Sequence, residues 1–80
     1  MYGYEIKSER DTLERLPKQI EYYSKIFEYI TIVTTKKYTK KIGEIVPEFF
    51  GIFLIENKNG ILKLKKIRNP KKNKNIDYFE

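Results

Sequence analysis

A glutamate and a lysine stand two residues apart near the start of the chain, at Glu5 and Lys7. A carboxylate offers the hard oxygen ligands that Mg²⁺ prefers, and a nearby ammonium can orient a water or a phosphate oxygen. Further along, Arg15, Gln19 and Tyr23 follow one another at intervals of four residues, so on a helix they would lie along one face. Brought together, these groups would suit a metal ion and a phosphate.

Six elements must position these residues. Alternating residues predict a first strand over 2–7, and apolar residues at three- and four-residue spacing predict a helix from Leu16 to about Glu28, with Pro17 at its first position. The remaining pattern predicts a strand over 29–34, a helix over 36–46, a strand over 49–56, an asparagine-glycine turn over 57–60 and a strand over 61–68.

This order predicts an α/β domain: a four-stranded, mostly parallel sheet with two helices, in the order βαβαββ. We expect one domain over 1–69 and a basic, flexible tail over 70–80. Two helices leave a face or an edge of such a sheet uncovered, which predicts a homo-oligomer or a partner chain that completes the sheet. No apolar run approaches the ~20 residues of a membrane span, so we expect a cytoplasmic protein without a membrane partner.

The amino-acid composition limits the functional groups that the protein can use for catalysis or binding. The chain has no cysteine and no histidine. Disulfides are therefore excluded, and neither a zinc site nor an imidazole base is expected. The net charge of +6 favours an anionic partner, and nucleic acid is the commonest.

Residues 58–74 include eight basic residues and no acid. We take as DNA-contacting candidates in this run Lys63, Lys65, Lys66, Arg68, Lys71 and Lys72. The alternative is a half-buried edge strand whose solvated lysines prevent pairing with other chains.

The Glu-x-Lys pair alone carries little information, because a second copy, Glu56-Asn57-Lys58, leads into the predicted turn. Its position distinguishes the first copy. Glu5 and Lys7 end the first strand of a βαβ unit, where the side chains of open α/β sheets converge on ligands. The alternative interpretation is a solvated ion pair on the exposed face of that strand.

The pattern EIKS-x-x-D-x-x-x-R-x-x-x-Q-x-x-x-Y, from Glu5 through Tyr23, resembles the second half of the nuclease core of the PD-(D/E)xK superfamily, which has the restriction-endonuclease-like fold. The later stretches YITIVTTKKY, EIVPEFFGI and KKNKN are similar to a family of small bacterial and phage proteins of that superfamily. Together these segments cover most of the chain.

The resemblance implies a role for each matching residue. Glu5 would bind Mg²⁺ or Mn²⁺, with Asp11 as a further metal ligand, and Lys7 would position or activate the attacking water. Gln19 would support the active site, while Arg15 and Tyr23 would contact DNA. The function implied is a metal-dependent DNA nuclease.

One part of the superfamily pattern is missing. Its first metal ligand is an aspartate on the strand before Glu-x-Lys, and only four residues precede Glu5. The resemblance therefore implies a truncated restriction-endonuclease-like core. Another chain could supply the missing acid, or the protein could be a degraded nuclease. The alternative function is a non-catalytic module, derived from a nuclease, that binds nucleic acid or a protein.

Overall fold

Strands and helices follow one another in the predicted order. The computed structural model describes residues 1–7 and 13–74. Its elements are β1 (Tyr2–Lys7), α1 (Leu16–Ile26), β2 (Tyr29–Thr34), α2 (Lys36–Ile45), β3 (Gly51–Lys58) and β4 (Ile61–Arg68). The expected α/β class, with four strands and two helices, is confirmed. The third strand starts at Gly51 because a turn, closed by the bond from Phe50 N to Pro47 O, occupies the preceding residues.

The four strands form one mixed sheet in the order β1-β2-β3-β4. β1 and β2 are parallel, β2 and β3 are parallel, and β3 and β4 are antiparallel. The expected mostly parallel sheet is therefore confirmed only in part. The antiparallel pair is a hairpin whose turn places Asn59 and Gly60 at φ 53° and 82°. Asparagine and glycine tolerate these positive angles, so the predicted turn is the one formed.

Both helices pack on the same face of the sheet, here called the helix face. The connections from β1 to β2 and from β2 to β3 each contain one helix and step in the same direction across the sheet. Because such connections are right-handed, both helices lie on one face. One buried cluster accordingly joins Leu16 of α1 and Ile42 of α2 to Ile30, Ile32 and Ile52 of the sheet. In the described part of the chain, no helix covers the opposite face. The residues on this open face are Tyr2, Tyr4, Ile6, Tyr29, Thr31, Val33, Gly51, Phe53, Ile55, Asn57, Leu62, Leu64 and Lys66.

The orientation of β1 places its polar residues inside. Gly3 pairs with the core residue Ile30, so Gly3, Glu5 and Lys7 all lie on the helix face. A side chain at position 3 would begin 2.7 Å from the ring of Phe27, so glycine lets the end of α1 approach the strand. Lys7 is only 6% exposed. The alternative of a solvated ion pair is therefore wrong: the two residues face α1, and within the described residues they form no ion pair.

The segment that follows β4 folds back across the sheet. Pro70 lies against Gly51, where a Cβ would be 2.6 Å from the proline ring. Asn73 is buried, and its side-chain amide donates hydrogen bonds to Ser24 O at 2.6 Å and Phe27 O at 3.0 Å. Residues 70–74 thus tie the start of β3 to the end of α1. The rest of the predicted tail, residues 75–80, lies outside the described residues.

The helices are short. α1 has 11 residues and α2 has 10, whereas a membrane span needs about 20. Among the described residues, no helix has the length and hydrophobicity to cross a bilayer.

Candidate functional site

The carboxylate of Glu5 lies between β1 and α1, where two helical side chains hold it. Its Oε1 accepts a hydrogen bond from the Tyr23 hydroxyl at 2.5 Å and another from Gln19 Nε2 at 3.3 Å. Gln19 and Tyr23 are four apart on α1 and therefore reach the strand side by side. The structure thus brings together three of the residues that the sequence selected. Glu5 Oε2 accepts no hydrogen bond from the described residues.

The hydrogen bond to Glu5 changes the acidity of Tyr23. That bond, followed by burial and by the negative charge of Glu5, raises the pKa of the Tyr23 phenol from its ordinary 10.0 to about 12. A tyrosine is protonated at neutral pH in any case, and the raised pKa extends this state into alkaline solution, where the phenol still donates to Glu5. It fixes one oxygen of the carboxylate and leaves the other available to a ligand.

Lys7 follows Glu5 on the same face of β1 and is buried. The Thr34 hydroxyl donates to the Lys7 carbonyl at 2.9 Å, which fastens the end of β1 to the end of β2. The Lys7 ammonium forms no ion pair with any described residue. A buried cation is costly unless an anion neutralises it. The position therefore suits a bound anion, such as a phosphate group.

A groove runs along α1 beside these residues. It encloses about 410 Å³ and is lined by Arg15, Lys18, Gln19, Tyr22 and Tyr23. Gln19 and Tyr23 belong to both the groove and the Glu5 site, so the two adjoin. Among the described residues, two cations and no acid line it, which favours an anionic occupant.

Sequence reasoning missed two of the groove residues, Lys18 and Tyr22. Their spacing could have identified them, because Lys18 follows Arg15 by three residues and Tyr22 follows Lys18 by four, which keeps all three on neighbouring ridges of one helix. The Tyr22 ring is exposed and meets Tyr23 edge to face, with centroids 5.9 Å apart.

The described residues fit a divalent metal only in part. Glu5 supplies one hard oxygen ligand, but the described chain contains no group of three or more acidic side chains that could hold a metal. Mg²⁺ usually takes one or two carboxylates and completes its shell with water and phosphate oxygens. Asp11, the other predicted ligand, lies outside the described residues.

The basic run at the end of the chain does not form one surface. Lys63 and Lys65 lie on the helix face of β4, and Lys66 lies on the open face. Lys71 and Lys72 border a separate hollow of about 500 Å³ near Phe49.

Arg68 has a structural use. Its guanidinium donates to Phe50 O at 2.8 Å and to Pro47 O at 3.0 Å, and so holds the turn before β3. β4 is also the sheet edge opposite β1, about 14 Å away at three strand spacings. The predicted DNA-contacting residues of the run and the Glu5 site are therefore separate features.

Fold and site together define an α/β domain with a carboxylate, a buried lysine and a cationic groove at one edge of its sheet. The chain matches the model of the family described as bacteriophage P4 protein cII over residues 1–79, and it belongs to that family.

A curated relative, Protein cII of Enterobacteria phage P4, is 31% identical over 68 residues. The match covers 85% of this chain and 26% of the relative. The chain therefore spans about a quarter of the length of that relative. No solved structure matches the chain significantly.

Proposed function

We propose that this domain binds DNA and hydrolyses its phosphodiester bonds with a divalent metal, as a nuclease of the PD-(D/E)xK kind. The observation that carries the proposal is the pairing of two side chains on β1. Glu5 is held in place by Gln19 and Tyr23, and one pleat further on the buried Lys7 ammonium lacks an anion among the described residues. The proposed fold is a restriction-endonuclease-like core in which β1, α1 and β2 form the second half.

The residues of the chain have distinct tasks in this mechanism. Hydrolysis forms a bond from a water oxygen to phosphorus and breaks one P–O ester bond, and the transition state carries added negative charge on the phosphate. Lys7 orients the attacking water and stabilises that charge from a site where little water competes. Tyr23 and Gln19 hold one oxygen of Glu5, and its other oxygen would be the metal ligand.

The bound Mg²⁺ or Mn²⁺ would polarise the phosphate and lower the pKa of the attacking water. The proposal assigns Glu5 to it as one ligand and Asp11, or an acid from another chain, as the second. Arg15 and Lys18 in the groove hold the neighbouring phosphates of the strand, and the Tyr22 ring offers a surface on which a base can stack.

A cleavage assay tests the proposal. Plasmid and branched DNA are incubated with Mg²⁺ or Mn²⁺ and with the wild type, Glu5→Ala or Lys7→Ala. The second Glu-x-Lys pair supplies matched controls, Glu56→Ala and Lys58→Ala, which remove the same groups from β3. We expect both β1 variants to lose cleavage and both β3 variants to retain it. Equal cleavage by all five proteins would refute the proposed site.

A non-catalytic binding module is the second candidate. It is favoured because the described residues contain no group of three or more acidic side chains that could hold a metal. This module predicts no cleavage by the wild type and salt-sensitive DNA binding that survives Glu5→Ala and Lys7→Ala. The same set of proteins therefore distinguishes the two functions.

A further inference from the structure

The open face of the sheet exposes an unusual amount of apolar surface. On its two outer strands, Tyr2, Tyr4 and Ile6 of β1 and Leu62 and Leu64 of β4 are each between 63% and 67% exposed. In sequence, Leu62 and Leu64 alternate with lysines, which is the pattern of a strand with one buried face. Within the described chain, nothing buries Leu62 or Leu64, whereas at the start of β3 Pro70 covers the part of the open face that holds Gly51 and Thr31.

These side chains form one continuous surface. Strand register places Ile6 beside Val33 and Val33 beside Phe53, while Ile55 lies beside Leu64. At one end of the face, the rings of Tyr2 and Tyr29 stack with centroids 4.8 Å apart. The face carries a single charged side chain among the described residues, Lys66, and no acid.

The size of this surface matches one side of a protein interface. At about 200 Å² for a large apolar side chain, the five outer residues alone leave roughly 600 Å² uncovered. The half-buried Tyr29, Val33, Phe53 and Ile55 add to this area. Single patches on monomeric proteins rarely exceed about 300–600 Å², whereas a stable interface buries about 800 Å² on each partner.

We propose that the open face is the interface between two copies of this chain, packed sheet against sheet. An apolar face with no acidic group is complementary to itself and offers little to a basic partner. A two-fold axis parallel to the strands would place β1 of one copy over β4 of the other. Lys66 of each copy would then face apolar and aromatic residues and not the Lys66 of the second copy. The helices, the groove and the Glu5 site then lie on the two outer layers, where DNA can reach them.

Sedimentation equilibrium of the full chain tests this inference. Leu64→Glu and Tyr4→Glu introduce a charge into the open face. Their matched controls are Ile61→Glu, on the other face of β4, and Tyr22→Glu, on α1. In the wild type, Ile61 is 62% exposed and Tyr22 is 61% exposed. Circular dichroism confirms that each variant is folded before its mass is measured.

We expect the wild type to have twice the 9.7 kDa chain mass, and the two open-face variants to associate at least about tenfold more weakly. The two controls should associate like the wild type. A monomeric wild type at about 0.2 mM, a concentration well above a micromolar Kd, would overturn the inference. So would an equal loss in the open-face variants and the controls. Because these readouts need no DNA, the result is independent of the proposed nuclease activity.

Discussion

At the scale of single residues, the main feature is a carboxylate with one oxygen fixed by two hydrogen bonds and one oxygen that accepts none from the described residues. Tyr23 and Gln19 bind Glu5 Oε1 from the helix. In the proposed nuclease this arrangement makes Tyr23 a positioning residue, since it would act on a substrate only through Glu5. The pKa of the Tyr23 phenol therefore shows directly whether its hydrogen bond to Glu5 forms in solution.

The pKa of Tyr23 should depend on Glu5. Absorbance of tyrosinate in the folded protein should show, by difference from Tyr23→Phe, one phenol that ionises near pH 12. In Glu5→Gln this transition should move toward pH 10, because the negative charge that opposes ionisation has been removed. A transition near pH 10 in both proteins would mean that the hydrogen bond is absent.

The same shift predicts how stability depends on pH. The phenol ionises at about 10 in the unfolded chain and about 12 in the folded one, so the folded state holds the proton more tightly. Its stabilising contribution is therefore complete below pH 10 and is lost as the pH rises through 12. The free energy of unfolding of Tyr23→Phe should lack this part of the alkaline decline.

Residue spacing predicted part of the site and missed the rest. Intervals of four residues grouped Gln19 with Tyr23, and strand position placed Glu5 near them. The role of Arg68 could not be predicted, because its acceptors are backbone carbonyls of a turn about twenty residues away in sequence. Its guanidinium looks in sequence like any other charge of the basic run.

At the scale of elements, the orientation of β1 decides which side chains form the site. Alternation predicted the strand, yet a period of two is satisfied by either orientation of the strand. The apolar side chains Tyr4 and Ile6 would ordinarily face the core. Instead they lie on the open face, because Gly3 admits the Phe27 ring on the other side. That choice depends on a tertiary contact, which the local pattern does not contain.

Gly3→Ala should therefore be destabilising. The new methyl group would begin 2.7 Å from the Phe27 ring, so the end of α1 must move, at about 1–3 kcal/mol of unfolding free energy. The control is Gly43→Ala in α2, where the nearest atom would be 3.9 Å away. That change should stabilise the protein by up to about 1 kcal/mol through helix propensity. Urea unfolding measures both, and a neutral Gly3→Ala would contradict the packing described for β1.

At the scale of the whole molecule, the sheet separates two surfaces with different chemistry. The helix side carries the Glu5 site and the cationic groove, and the opposite side is apolar. The sequence predicted that two helices would leave part of the sheet uncovered. Which part is uncovered follows from the strand order, since sequential parallel strands place both crossovers on one side.

The groove predicts a specific salt dependence of DNA binding. Arg15→Ala and Lys18→Ala should each reduce the slope of log affinity against log salt by about one unit, because each would remove one of the proposed phosphate contacts. Lys40→Ala on the exposed side of α2 is the control and should leave the slope unchanged. Fluorescence anisotropy with labelled DNA at several salt concentrations gives the slopes. Equal slopes for all of these variants and the wild type would place DNA elsewhere on the molecule.

The most direct test of the central claim separates binding from chemistry at Lys7. DNA affinity and the single-turnover cleavage rate are measured on the same Mg²⁺-containing complexes of the wild type and Lys7→Ala. If Lys7 acts on the transition state, affinity should change by less than about threefold, while the cleavage rate should fall by about a hundredfold or more. An unchanged cleavage rate would contradict the assignment of Glu5 and Lys7 as the catalytic pair.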